Sequence, residues 1–137
     1  MKEFNWPVRV YYEDTDNGGV VYYANYLKFM ERARTEWLRA QGVEQDYLVE
    51  KHDLIFAVRS AQVEYRKPAR FNQLLNVTAA IAKTGKASIT FEQKITPAED
   101  NDVVLCNGQI RIVSLSASTF TPKPLPAEIS MEIFSGS

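Results

Sequence analysis

The chain has 137 residues, and a chain of about 150 buries roughly 68–70% of its unfolded surface, so one ordinary core is expected and a second domain is not. Lys and Arg number 16 against 17 Asp and Glu, which leaves no basic excess for gripping a nucleic-acid backbone. A single cysteine, Cys106, excludes an internal disulfide and a Cys-based zinc cluster, and the absence of a secretory h-region or a run of about 20 apolar residues points to a soluble cytoplasmic protein with no membrane span.

In chain order, Trp6 to Asp14 alternates: Val8, Val10 and Tyr12 on one side, Arg9, Tyr11 and Glu13 on the other. That is the period of a half-buried strand. Thr15-Asp16-Asn17-Gly18-Gly19 then combines residues that tolerate positive φ with side chains that bond their own backbone, so the chain must reverse there. From about Ala24 to Gln41 the spacing becomes helical, with Tyr26, Met30, Ala33 and Trp37 along one stripe. Gly42 is a natural stop, and Arg39 suits the negative end of the helix dipole.

Glu44 to Lys51 could form one or two further helical turns. Four strand-like runs follow, Leu54–Tyr65, Leu74–Lys83, Ala87–Thr96 and Val103–Ser116, rich in Val, Ile, Phe, Tyr and Thr. Turn chemistry around Pro68, Gly85 and Pro97 separates them. Pro122, Pro124 and Pro126 predict an extended tail over 117–137 after a core of about 6–116, with a short apolar end at Ile129, Met131, Ile133 and Phe134. One strand, one long helix and four strands make an α+β pattern of about five antiparallel strands curled around the helix, a single domain over 1–137. The outer strands would expose ladder edges that a second copy could cover.

Three acids, Glu13, Asp14 and Asp16, lie at the junction between the first strand and the helix. They could simply cap the turn. A calcium loop fits poorly, because Gly18 and Asn25 stand where it would need acidic ligands. The company of these acids suggests chemistry: a double Gly, Val20-Val21, then Tyr22-Tyr23-Ala24-Asn25-Tyr26. If the helix begins at Ala24, its first amides lack a side-chain cap and could polarise a carbonyl oxygen. If Asn25 is the N-cap, the helix begins one residue later and that donor is lost.

The only histidine, His52, lies in a polar stretch and reads as a solvated loop residue. One His and one Cys cannot furnish a zinc site, and no nucleophile elbow accompanies His52 for a Ser-His-Asp triad. For the phosphates of a nucleotide-bearing substrate the candidate cations are Arg59, Arg66, Lys67, Arg70, Lys83 and Lys86. Arg59 interrupts the apolar run Ile55-Phe56-Ala57-Val58 and needs a partner or an edge position.

The stretch Arg9-Val10-Tyr11-Tyr12-Glu13-Asp14-Thr15-Asp16-Asn17-Gly18-Gly19-Val20-Val21-Tyr22-Tyr23-Ala24-Asn25-Tyr26 resembles the signature of the 4-hydroxybenzoyl-CoA thioesterase family, and within it the acyl-CoA thioesterases associated with the Tol-Pal system. The likeness continues through Glu31–Glu36 and Val63–Arg70. It implies a hotdog fold and hydrolysis of short-chain or aromatic acyl-CoA. Asp16 would be the nucleophile or general base, the Tyr23 backbone amide the carbonyl-polarising donor and Asp14 the supporting acid. Gly19, Val21, Arg59, Ser60, Arg70 and Lys86 would bind substrate or coenzyme A. No cofactor is implied, since coenzyme A is part of the substrate. Partners would be acyl-CoA, an acyl carrier protein and further copies of the chain, as a homodimer or homotetramer. Tyr23 matches the hydroxybenzoyl-type enzymes, whereas the Tol-Pal type usually carries His there. A non-catalytic scaffold binding acyl-CoA or acyl carrier protein is the alternative.

Overall fold

The apolar stripe that predicts the helix is the face it buries. In the computed structural model, which describes residues 2–127, 129 and 130, α1 runs Tyr23–Ala40, with Tyr26, Phe29, Met30, Ala33, Trp37 and Leu38 all buried. Burying Phe29, Met30 and Leu38 contributes about 1.5–3 kcal/mol each. The helix stops as expected at Gly42, whose φ is 83°. Gly42 N–H donates to the Arg39 carbonyl and Val43 N–H to that of Leu38, both at 3.0 Å, the paired bonds of a Schellman stop.

Around α1 lie β1 (Phe4–Arg9), β2 (Leu54–Tyr65), β3 (Leu74–Gly85), β4 (Ser88–Pro97) and β5 (Cys106–Ser116). They form one antiparallel sheet in the order β1-β3-β4-β5-β2. A second helix, α2 (Gln45–His52), precedes β2 and buries Leu48. Val8, Leu75, Val77, Ile89, Phe91, Ile95 and Ile110 belong to the same buried cluster as the α1 stripe. Bulges between Val58 and Ser60 and between Ile81 and Lys83 bend β2 and β3.

The first strand is shorter than the alternation predicts. It ends at Arg9, and Tyr12–Asp14 form a 3-10 turn instead. The reason is local competition: the Asp14 carboxylate accepts the Tyr11 N–H at 2.8 Å, closing a capping box that an extended chain could not make. Tyr12 is then 76% exposed and stacks on Phe71 with ring centroids 3.8 Å apart. Similarly, the last strand begins at Cys106 rather than Val103, because 100–103 are taken up by a turn closed by the Val103 N–H on the Asp100 carbonyl.

The two edges of the sheet differ. On β1, Val10 N–H donates to Gln73, so by alternation Val8 and Trp6 face β3 and Pro7 faces outward, where it has no N–H to offer. On β2, twelve residues without a proline carry the opposite edge.

After β5 the tail doubles back: Pro122 bridges to Leu115, Lys123 N–H donates to Ser114, and Ile129 is buried. Met131, Ile133 and Phe134, expected as an apolar end, lie outside the described residues. Among the described residues no helix is long and apolar enough to cross a membrane.

Candidate functional site

The site grows out of a tight hairpin. Asp16 N–H donates to Val20 at 2.9 Å and Gly19 N–H to Asp16 at 3.1 Å, closing a three-residue loop, Asn17-Gly18-Gly19. Gly19 takes φ 76°, the left-handed position that such a loop requires and that glycine adopts without strain. Asp16 Oδ1 accepts the Gly18 N–H at 2.8 Å, and among the described residues that is the carboxylate's one hydrogen bond. A Cβ on Gly18 would stand 3.3 Å from the same oxygen.

The hairpin delivers the chain to α1. Tyr22 N–H and Asn25 Nδ2 both donate to the Asp14 carbonyl at 2.9 Å, which ties the acidic turn to the start of the helix. Asn25 is therefore inside α1 and is not its cap. The helix starts one residue before the expected Ala24, with Tyr22 as N-cap and no side-chain cap. Among the described residues the Tyr23 amide makes no hydrogen bond, and it stands at the positive end of an 18-residue helix.

Asp14 and Asp16 thus differ in task. The Asp14 carboxylate is spent on Tyr11 and its carbonyl on the helix start. Asp16 is exposed, with one oxygen uncommitted among the described residues.

A third segment completes this end. Val21 N–H donates to Ala69 at 2.8 Å, Phe71 N–H donates to Gly19 at 3.2 Å, and Val20 bridges to Arg70. Gly19, Val21 and Arg70 are therefore brought to Asp16. Tyr26, fully inside α1, accepts the Ala69 N–H on its hydroxyl at 3.0 Å, and burial pushes its pKa above the ordinary tyrosine value. Tyr65, 46% exposed at the end of β2, sets its ring edge against Tyr26 (5.4 Å) and Tyr23 (6.1 Å). Burial pushes the Cys106 thiol up to about 12, so it stays protonated and offers no nucleophile.

Arg59, Ser60 and Lys86 lie elsewhere in the chain. Arg59 and Ser60 are exposed at the bulge on the β2 edge, an edge position that satisfies the demand made by the apolar run around Arg59. Lys86 sits in the turn between β3 and β4. The twelve residues of β3, about 36 Å, separate it from the Asp16 end. His52 closes the last turn of α2, not a loop, with its ring against Tyr47. A concavity of about 880 Å³ also lies away from Asp16: Glu92, Lys94, Asn107 and Gln109 line it on the sheet face turned from α1. No cluster of three or more His, Cys, Asp or Glu suited to a metal occurs among the described residues.

Two residues are singled out by the structure more than by the sequence. As an aromatic on a strand, Tyr65 reads equally well as core or as pocket. Arg34 carries a signal, because it stands four residues from both Met30 and Leu38, inside the apolar stripe, and it is only 8% exposed.

Residues 18–104 match the family model described as the thioesterase superfamily. Acyl-CoA thioester hydrolase YbgC of Escherichia coli O6:H1 is 42% identical over 129 residues, covering 94% of each chain. Acyl-CoA thioesterase YbgC of Haemophilus influenzae is 39% identical, over 92% of this chain and 90% of its own. The crystal structure of a probable thioesterase from Bartonella henselae superposes with a TM-score of 0.85 at 32% identity, over 91% of this chain and all of that one. The architecture is the hotdog fold.

Proposed function

The chain belongs to the thioesterase superfamily, and from that premise we propose that it hydrolyses short-chain or aromatic acyl-CoA to the free acid and coenzyme A. The observation that carries the reading is an exposed, partly uncommitted carboxylate at Asp16 in the turn that leads to the uncapped Tyr23 amide, with the Asp14 carbonyl tying that turn to the helix start.

The thioester carbonyl oxygen takes the Tyr23 N–H, where the helix dipole stabilises the oxyanion of the tetrahedral intermediate. One such donor is worth about 2.7–4 kcal/mol of barrier in enzymes where it has been removed. Asp16 then acts by one of two routes. As general base it takes a proton from water, the hydroxyl adds to the carbonyl carbon, and the C–S bond breaks to release coenzyme A. As nucleophile it displaces the thiolate to form a mixed anhydride, which water hydrolyses. Asp14 is a positioning residue in both. Arg70, with Arg66 and Lys67 in the same connection, supplies cations for the phosphates of coenzyme A.

The β2 edge is the natural place for a second copy, giving a homodimer that can pair further into a tetramer. In such an assembly Arg59, Ser60 and Lys86 serve the partner's substrate. An acyl carrier protein is a second possible acyl donor, since its acyl group is also carried as a thioester.

The test is a panel of acyl thioesters with a thiol-detecting reagent. Thiol release that disappears in Asp16→Asn supports the enzyme, because Asn keeps an oxygen for the Gly18 N–H and so preserves the turn. Saturable binding without thiol release makes the chain a scaffold, and near-normal turnover in Asp16→Asn ends the assignment of Asp16.

A further inference from the structure

Asp16 and the Tyr23 amide account for the carbonyl of a thioester, but not for where its acyl arm goes. The two arms differ in chemistry: coenzyme A carries phosphates, and an acyl group is apolar. Arg66, Lys67 and Arg70 stand in the connection that follows β2, so the charged arm belongs on that side. The apolar side of the helix start is Tyr65, the last residue of β2. Its ring lies 6.1 Å from that of Tyr23, inclined at 83°, and 5.4 Å from that of Tyr26, inclined at 60°.

Tyr26 ties this ring to the acid. Its hydroxyl accepts the Ala69 N–H at 3.0 Å, and the Ala69 carbonyl accepts the Val21 N–H at 2.8 Å, where Val21 bridges to Thr15 at the foot of the Asp16 hairpin. Burial is the main cause that raises the Tyr26 pKa, and Cys106, Tyr65 and the Asp16 carboxylate add to it, so one hydroxyl lies within electrostatic reach of both Tyr65 and Asp16. Burial also raises the Tyr65 pKa, which keeps that phenol neutral.

Behind Tyr65 runs a closed apolar seam. In the register of β2 and β5, Tyr65 stands opposite Cys106 and Val63 opposite Gly108, so the four share one face of the sheet. It is the face toward α1: Cys106 is fully buried, and a Cβ on Gly108 would stand 3.4 Å from the Met30 Cε methyl and 3.2 Å from Val63 Cγ2. The place of the side chain that Gly108 lacks is thus held by the end of a flexible thioether. Cys106 and Met30 have no exposed surface, whereas Tyr65 is half-exposed, which makes it the mouth of the seam and Met30 a wall that can yield. We propose that Tyr65 sets the length of the acyl group: the acyl arm lies against its ring, and the ring bars a longer straight chain from the seam between α1 and β5. This rests on the thioesterase reading of Asp16 and Tyr23 and names the residue that selects among its substrates.

The experiment measures kcat/KM for acetyl-, butanoyl-, hexanoyl- and octanoyl-CoA by thiol release in the wild-type chain, Tyr65→Ala, Tyr65→Phe and Tyr65→Trp. Each methylene moved from water into an apolar site is worth roughly fourfold, so two more admitted by Tyr65→Ala should raise the octanoyl-to-acetyl ratio at least about tenfold. Tyr65→Phe should keep the wild-type ratio, and Tyr65→Trp should lower it. A merely structural role would slow every substrate in proportion and leave the ratios alone. An unchanged ratio in folded Tyr65→Ala overturns the inference. If that variant does not fold, an unchanged ratio in Tyr65→Trp overturns it instead. A wild type that prefers octanoyl-CoA to acetyl-CoA overturns it as well. A wild type that hydrolyses none of the four also ends it, and the hydrolase reading falls with it only if benzoyl-CoA is left intact too.

Discussion

Two aspartates at opposite ends of the sheet show how similar residues in turns come to different uses. Asp53 ends α2 with φ 52°, a left-handed conformation that few non-glycine residues adopt. Its carboxylate receives the hydroxyls of Ser116 at 2.6 Å and Ser118 at 2.8 Å and the Ser118 N–H at 2.9 Å. Those bonds, first the hydroxyl of Ser116, hold its pKa below the ordinary aspartate value. Asp16 also sits in a turn, but it has a single hydrogen bond among the described residues, and the helix that follows it begins with an amide that makes none. A saturated carboxylate locks α2 to the end of β5. An unsaturated one keeps an oxygen uncommitted among the described residues.

Exchanging each for asparagine should separate the two roles. Asp16→Asn is expected to lower turnover by about 10²–10⁴, the usual share of a positioned acid or base, with an unchanged melting temperature. Asp14→Asn, which retains an acceptor for Tyr11, should cost less, and the reverse order would move the chemistry to Asp14. Tyr26→Phe leaves the Ala69 N–H buried without an acceptor and should destabilise by about 1–3 kcal/mol, read from denaturant midpoints.

Asp53→Asn should leave turnover intact and lower the melting temperature at neutral pH. Its folded pKa is depressed, so its contribution is present above the unfolded aspartate pKa and is lost as pH falls through the lower, folded value. The gap in melting temperature between wild type and Asp53→Asn should therefore close on acidification. A gap constant with pH would mean that the carboxylate's charge plays no part. The smallest effect is expected from Gly18→Ala, whose Cβ would press on Asp16 Oδ1 from 3.3 Å: a few-fold fall in turnover at near-normal stability.

Periodicity carried most of the architecture. β2 occupies the residues expected of it, Leu54–Tyr65, and α1 differs from its predicted range by one residue at each end. The misreading of β1 has a clear cause: Val8, Val10 and Tyr12 alternate like a strand, but Tyr12 finds its ring partner in Phe71, far along the chain. The site was legible as a neighbourhood, since acids, glycines and the helix start are adjacent in sequence. The different hydrogen bonding of Asp14 and Asp16 was not, because it depends on which N–H groups each meets. Nor could one-dimensional order show that Lys86 and Arg70 stand at opposite ends of a long strand.

Pro7 has a consequence beyond β1. A sheet with two open edges can add copies without limit, which is how fibrils grow. With Pro7 blunting one edge, ladder growth has a single open end, and one added copy consumes it. Growth along the ladder is thereby limited from the first strand, whose sequence position says nothing of it.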